Sequence, residues 1–251
     1  MARRDHGAAA EALGELESAA DRLGDWLQEN LRLVIAVVAV LLLVAGVGSW
    51  IASSRATAEQ EASSALARTR DDYLSAMGAA PGAIEVPQLA NPKAADQIRA
   101  EYEKRFGEVA AEHPGTVAGT LAALERARLA SQGGRNDEAL ALLEAALADA
   151  PSGRAIRGMV LQRIAQRLEG AGRWEEAAAR HEQAAAVDGY PLRGWALADA
   201  ARCRAQAGDA AGALALYDRL AREAPELKLS ESQHARVLEL RATVEDAAAT
   251  P

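Results

Sequence analysis

From Leu33 to Ser54 the chain runs for 22 residues without a charge, bounded by Arg32 and Arg55. The core of this run, Leu33 to Gly48, reads LVIAVVAVLLLVAGVG. At 1.5 Å per residue, ~20 apolar residues match the ~30 Å hydrocarbon layer of a bilayer. The pattern predicts one transmembrane helix over 33–54. Trp26 and Trp50 flank it, 24 residues apart. That is roughly 36 Å along a helix, which places both indoles at the membrane interfaces. A cleaved signal peptide fits less well, because the run is longer than the usual ~7–15 residues, begins about 30 residues into the chain, and is followed by no convincing A-x-A site.

Before the span, Leu13, Leu16, Ala20, Leu23 and Leu27 step by three and four residues. They form one apolar stripe, with Glu15, Glu17, Asp21 and Asp25 away from it. This predicts a short amphipathic segment within residues 1–32. Positively charged residues lean towards an N-terminus inside without deciding it: Arg3, Arg4, Arg22 and Arg32 precede the span, and Arg55, Arg68 and Arg70 follow.

After the span the pattern becomes a repeat. Residues 133–151 (GGRNDEALALLEAALADAP), 170–191 (GAGRWEEAAARHEQAAAVDGYP) and 207–225 (AGDAAGALALYDRLAREAP) align. Ala139, Ala177 and Ala213 correspond, at spacings of 38 and 36 residues. A period in this range, built from two helices, signals a helical solenoid. Gly134, Gly172 and Gly208 fall at the turn between the two helices, where a positive φ suits glycine. Leu143, His181 and Tyr217 lie one helical turn beyond the alanines, on the same face. Pro151 and Pro225 end the second helix of their repeats, and Gly189 with Pro191 is expected to end the middle one.

An earlier unit precedes these three. Residues 55–77 continue out of the span as a helix, 78–93 form a loop with three prolines, and 94–112 carry Ile98, Tyr102, Phe106 and Val109 on one stripe. At the far end, Ser230 or Ser232 caps a last helix whose apolar residues are Val237, Leu238 and Leu240. The expected organisation is a short amphipathic segment at 1–32, a transmembrane helix at 33–54, and a membrane-exiting helix with loop and first hairpin at 55–115. Three repeats follow at 116–229, and a capping helix and tail at 230–251.

Composition agrees with an all-α fold. Half of the residues are apolar but only 4% are aromatic, and alanine, leucine, glutamate and arginine favour helices. The net charge of −8 argues against nucleic acid as a partner, since phosphate contacts need a basic face. The single cysteine, Cys203, excludes an intrachain disulfide and reads as a buried, inert thiol.

No catalytic set is visible. His6, His113, His181 and His234 lack metal-ligand spacing, and neither H-E-x-x-H nor C-x-x-C occurs. His181 reads as core filler at a repeat packing position. The sequence therefore predicts no enzyme, no metal, no cofactor and no small-molecule substrate.

The glycine, alanine, large-residue and proline positions resemble the tetratricopeptide repeat. The departures are Ala123, Leu161 and Leu197, where the family has a large aromatic, and Ala127, Ala165 and Ala201, where it has the inter-helix glycine. The resemblance implies a concave face lined by the first helix of each repeat. In this register that face carries Leu121, Leu124, Arg128 and Gln132, then Met159, Gln162 and Gln166, then Trp195, Arg202 and Gln206. Apolar anchors, glutamines for extended backbone and arginines for carboxylates suit a peptide ligand.

The whole layout is similar to the ancillary subunits of the SecYEG translocon. The DWLQENLRLVIAVVAVLLLV entry, the helix Glu59 to Met77, the FGEVAAEHPG terminator and the repeats carry that resemblance. It implies a bacterial inner-membrane protein with its N-terminus in the cytoplasm and its repeats in the periplasm. It implies translocon subunits, a periplasmic chaperone or an emerging polypeptide as partners. A membrane-tethered scaffold for cell-envelope or division complexes is the alternative.

Overall fold

Asn91 and the proline after it show how local chemistry sets a helix boundary here. The Asn91 side chain accepts hydrogen bonds from the Lys93 and Ala94 amides, and Pro92 occupies the first helical position, where its missing N–H costs nothing. The loop expected over 78–93 therefore closes two residues early. The computed structural model describes residue 26 and residues 30–80, 82–83, 85–87 and 89–249. The amphipathic stripe expected before the span lies outside these residues.

Among the described residues the regular elements are nine α-helices: α1 (Leu31–Ala76), α2 (Pro92–Glu112), α3 (Val117–Gln132), α4 (Asn136–Asp149), α5 (Ile156–Gly170), α6 (Trp174–Ala185), α7 (Arg193–Gln206), α8 (Ala210–Glu223) and α9 (Glu231–Ala249). They fall in two units, divided between Thr57 and Ala58.

The first unit contains the apolar part of α1. Its best 18-residue window has a mean hydropathy of 2.7, and none of that window is buried. Length and composition suffice to cross a membrane. Leu41, Leu42, Leu43 and Val44 are all exposed, as are Trp26 and Trp50.

The second unit is a run of helical hairpins. The pairs α3/α4, α5/α6 and α7/α8 are the three predicted repeats. Gly134, Gly172 and Gly208 hold φ of 79°, 72° and 87° at the three turns. A side chain there would be strained, so the turn chemistry repeats with the period. Ala139, Ala177 and Ala213 have no exposed surface, and Ala127, Ala165 and Ala201 of the first helices are also buried. A methyl at each of these positions allows close helix approach without the helix-weakening cost of glycine.

An earlier unit packs the end of α1 with α2. The Tyr73 ring lies 5.3 Å from Tyr102 and 6.2 Å from Phe106, within the range of favourable aromatic pairing. The Glu59 carboxylate accepts from the Val117 and Ala118 amides at 2.8 and 3.0 Å. It thereby satisfies orphan donors at the start of α3 and places a negative charge at the positive helix end.

One expectation needs correction. Gly189 does not end the middle hairpin: α6 stops at Ala185, four residues earlier. The Ala186 and Val187 amides bond to Gln183 and Ala184 carbonyls, a tightening typical of helix ends. The chain released there carries Tyr190 onto Gly158, where a Cβ would lie 2.5 Å from the ring. In α9, Ser230 Oγ accepts from the Gln233 amide and Leu240 joins the core of the third hairpin. Leu238, however, is exposed.

Candidate functional site

A cleft of about 330 Å³ lies between the first and second hairpins. Five of the predicted groove residues line it: Leu121, Leu124, Arg128 and Gln132 from α3, and Met159 from α5. Helix α3 turns this face outwards because Ala118, Ala122, Leu129 and Ala130 occupy the buried one. Leu121, Leu124 and Met159 supply apolar wall. Met159 remains more than a third exposed, at 39%.

The sequence register missed two important lining residues, Arg163 and Arg167 of α5. They sit one and two turns beyond Met159 on the same helix face, so the spacing could have found them. With Arg128 they set three guanidinium groups against a single carboxylate, Glu125. Glu125 is already engaged by Arg128 at 2.7 Å. Burial works against the Arg128 charge, but Glu125 outweighs it and raises the guanidinium pKa. Arg163 bonds to Gln166 at 3.1 Å and Arg167 to the Ser131 hydroxyl. Among the described residues neither forms an ion pair. The cleft is therefore a cationic, partly apolar trough in a chain of net negative charge.

The other predicted residues are placed differently. Gln162 accepts a hydrogen bond from the Tyr190 hydroxyl. Arg202 and Gln206 line a separate hollow with Tyr217, Gln233 and Arg236, against α9. Trp195 on α7 is 47% exposed. The concave set thus divides into an open cleft at the first two hairpins and a more committed surface beyond it.

Arg202 owes its commitment to a polar cluster in the second and third hairpins. It donates to Glu169 Oε2 at 2.7 Å, and His181 Nε2 lies 2.7 Å from Oε1 of the same carboxylate. Asp199 is a further partner of Arg202 at 3.2 Å. Burial alone would raise the Glu169 pKa, but the hydrogen bonds and charges of His181 and Arg202 prevail and hold it at about 2. Cys203 is fully buried beside this cluster. Burial, with the nearby Glu169 charge, pushes its thiol up to about 12. A thiol so protonated is a poor nucleophile. Glu169, His181 and Cys203 are 12 and 22 residues apart in sequence, and no motif announces their meeting.

No family model matches the chain, and no curated protein matches it. Solved structures similar to it include the Podosopora anserina putative kinesin light chain nearly identical TPR-like repeats and a point variant of the same repeats. Each is 21% identical, with a TM-score of 0.45, covering 61% of this chain and 83% of that one. The repeat architecture of the present chain stands on the turns, crossings and caps described above.

Proposed function

We propose that this chain is a non-catalytic, membrane-anchored adaptor that holds an extended segment of another protein in the cleft between its first two hairpins. The observation that carries the reading is the pair Arg163 and Arg167, lining that cleft beside Leu121, Leu124 and Met159 without ion-pair partners among the described residues. Guanidinium groups bind carboxylates in bidentate fashion, and apolar anchors in a pocket supply most of the affinity of a peptide contact. An extended segment with acidic and apolar side chains suits this wall.

The anchor is the apolar part of α1, which is long enough to span a bilayer. The resemblance of the layout to ancillary SecYEG subunits supports a choice of partner and compartment. We place the N-terminus in the cytoplasm, the repeats in the periplasm, and the translocon, a periplasmic chaperone or an emerging chain at the cleft.

The test combines topology with co-purification. Ser18→Cys and Ser152→Cys variants, each in a Cys203→Ser background, are labelled in intact bacterial cells with a membrane-impermeant maleimide. The reading expects labelling at position 152 and not at 18, with translocon subunits retained in a mild-detergent pull-down. Labelling at 18 alone would reverse the topology. Repeated absence of translocon subunits would remove the export assignment and leave an adaptor of another membrane system.

A further inference from the structure

Glu169 lies in the last turn of α5, His181 sits on α6 and Cys203 on α7, and the fold brings one donor atom from each to within 4.8 Å of the others. Tetrahedral zinc has bonds of ~2.0–2.3 Å to oxygen, nitrogen and sulfur, so its ligand atoms lie roughly 3.3–3.8 Å apart. On that geometry His181 Nε2 and Glu169 Oε1, now 2.7 Å apart, would have to open by roughly 0.6 Å, and no other pair of donors would have to close by more than about 1.5 Å. This is within the reach of side-chain adjustment at the end of a helix.

A second observation sets His181 apart from an ordinary core residue. His181 is fully buried, and among the described residues its Nδ1 finds no hydrogen-bond partner. Ionised Glu169 can only accept, so the contact at Oε1 places the ring proton on Nε2. Nδ1 then holds a bare lone pair in the core, which is an expensive arrangement for a ring that serves only as filler. Leucine and tyrosine fill the equivalent positions in the flanking hairpins, as Leu143 and Tyr217. Of the three repeats, only the middle one places an imidazole there.

We propose that Glu169, His181 and Cys203 form a binding site for a divalent zinc ion that ties the second hairpin to the third. The ion takes Nε2 of His181, the ring nitrogen that faces Glu169, a carboxylate oxygen of Glu169 and Sγ of Cys203, with water at the fourth position. Binding forms the Zn–S and Zn–N bonds, releases the thiol proton to solvent and moves the ring proton from Nε2 to Nδ1. A carboxylate and a thiolate then neutralise the two positive charges. Arg202 on Glu169 Oε2 orients the carboxylate from outside, as hydrogen-bonded partners of metal ligands commonly do. The mixed nitrogen, sulfur and oxygen set favours zinc over magnesium or calcium, which prefer oxygen alone. The ion enters beside Glu169, since the other two ligands are buried.

The test uses the full chain in detergent, stripped with chelator, dialysed against Zn2+ and assayed by elemental analysis. Cobalt substitution is followed through the thiolate charge-transfer absorption. One zinc per chain is expected, with a cobalt–thiolate band and a Tm rise of roughly 5–10 °C at a hundredfold excess of zinc over its dissociation constant. Cys203→Ala and His181→Phe should each lose the band and the Tm rise. Both substitutes suit a packed helical core, and retention of helix by circular dichroism identifies the variants that remain folded. A wild-type chain that holds under a tenth of an equivalent would overturn the proposal. So would zinc retained equally by a folded Cys203→Ala or His181→Phe variant.

Discussion

The cleft between the first two hairpins and the surface beyond it are built on one backbone plan, yet their arginines are used differently. Among the described residues, Arg163 and Arg167 line the cleft with only a glutamine and a serine as partners. Arg202, on the first helix of the next hairpin, is held by Glu169 and Asp199. A charge already paired at 2.7 Å has little left to offer a ligand, while an uncommitted guanidinium gains a full partner on binding. Position in a repeat therefore does not determine role, because the carboxylates on neighbouring helices decide which arginines remain available.

The largest expected effect follows from reversing the cleft charges. Arg163→Glu together with Arg167→Glu should weaken binding of a fluorescent acidic, extended peptide by about a hundredfold or more, since like charges across an interface cost several kcal/mol. Anisotropy titration of the detergent-solubilised full chain measures this. The wild-type affinity should also fall with added salt. An unchanged affinity would show that the cations do not contact the ligand.

Truncating the apolar wall should cost less. Leu124→Ala with Met159→Ala should lower peptide affinity about tenfold, equivalent to ~1.4 kcal/mol, through lost apolar burial. The same titration applies, and the unfolding temperature should fall by a few degrees through Leu124, which also packs against the core of Ile164 and Leu168, while Met159 is substantially exposed.

Arg202→Ala should separate the two regions in the opposite sense. It removes a partner of Glu169, so stability should fall by ~1 kcal/mol, a modest value because the guanidinium is itself 44% exposed. Chemical denaturation reads the loss, and peptide affinity should stay within about twofold of wild type. The smallest effect is expected from Trp195→Ala. Its ring is exposed and lies outside the cleft lining, so stability should move by no more than ~0.5 kcal/mol. A large loss of peptide affinity in this variant would extend the binding surface onto the third hairpin.

Much of the fold was legible because its determinants are local. The turn glycines Gly134, Gly172 and Gly208 and the crossing alanines Ala139, Ala177 and Ala213 recur with the repeat, and each acts through its own few neighbours. Helix ends set by Pro151, Pro225 and Ser230 were legible for the same reason. The early stop of α6 was not, because it accompanies the seating of Tyr190 against Gly158 of a different helix. The cleft was legible in half: the register placed Leu121, Leu124, Arg128, Gln132 and Met159 together but passed over Arg163 and Arg167. It also assigned Arg202 to the groove, because its partner Glu169 lies 33 residues away and pairs only once the hairpins stack. The cluster of Glu169, His181 and Cys203 was illegible for that reason too.

The most direct test of the cleft as the binding surface places a photo-crosslinking amino acid at Leu124 and, separately, at Leu238 on the exposed face of α9, in the full chain in intact cells. Discrete protein adducts are expected from position 124, and they should disappear when Arg163 and Arg167 are reversed to glutamate, with no such dependence at 238. Adducts from 124 that survive the reversal, or adducts from 238 alone, would contradict a cationic cleft that holds its partner.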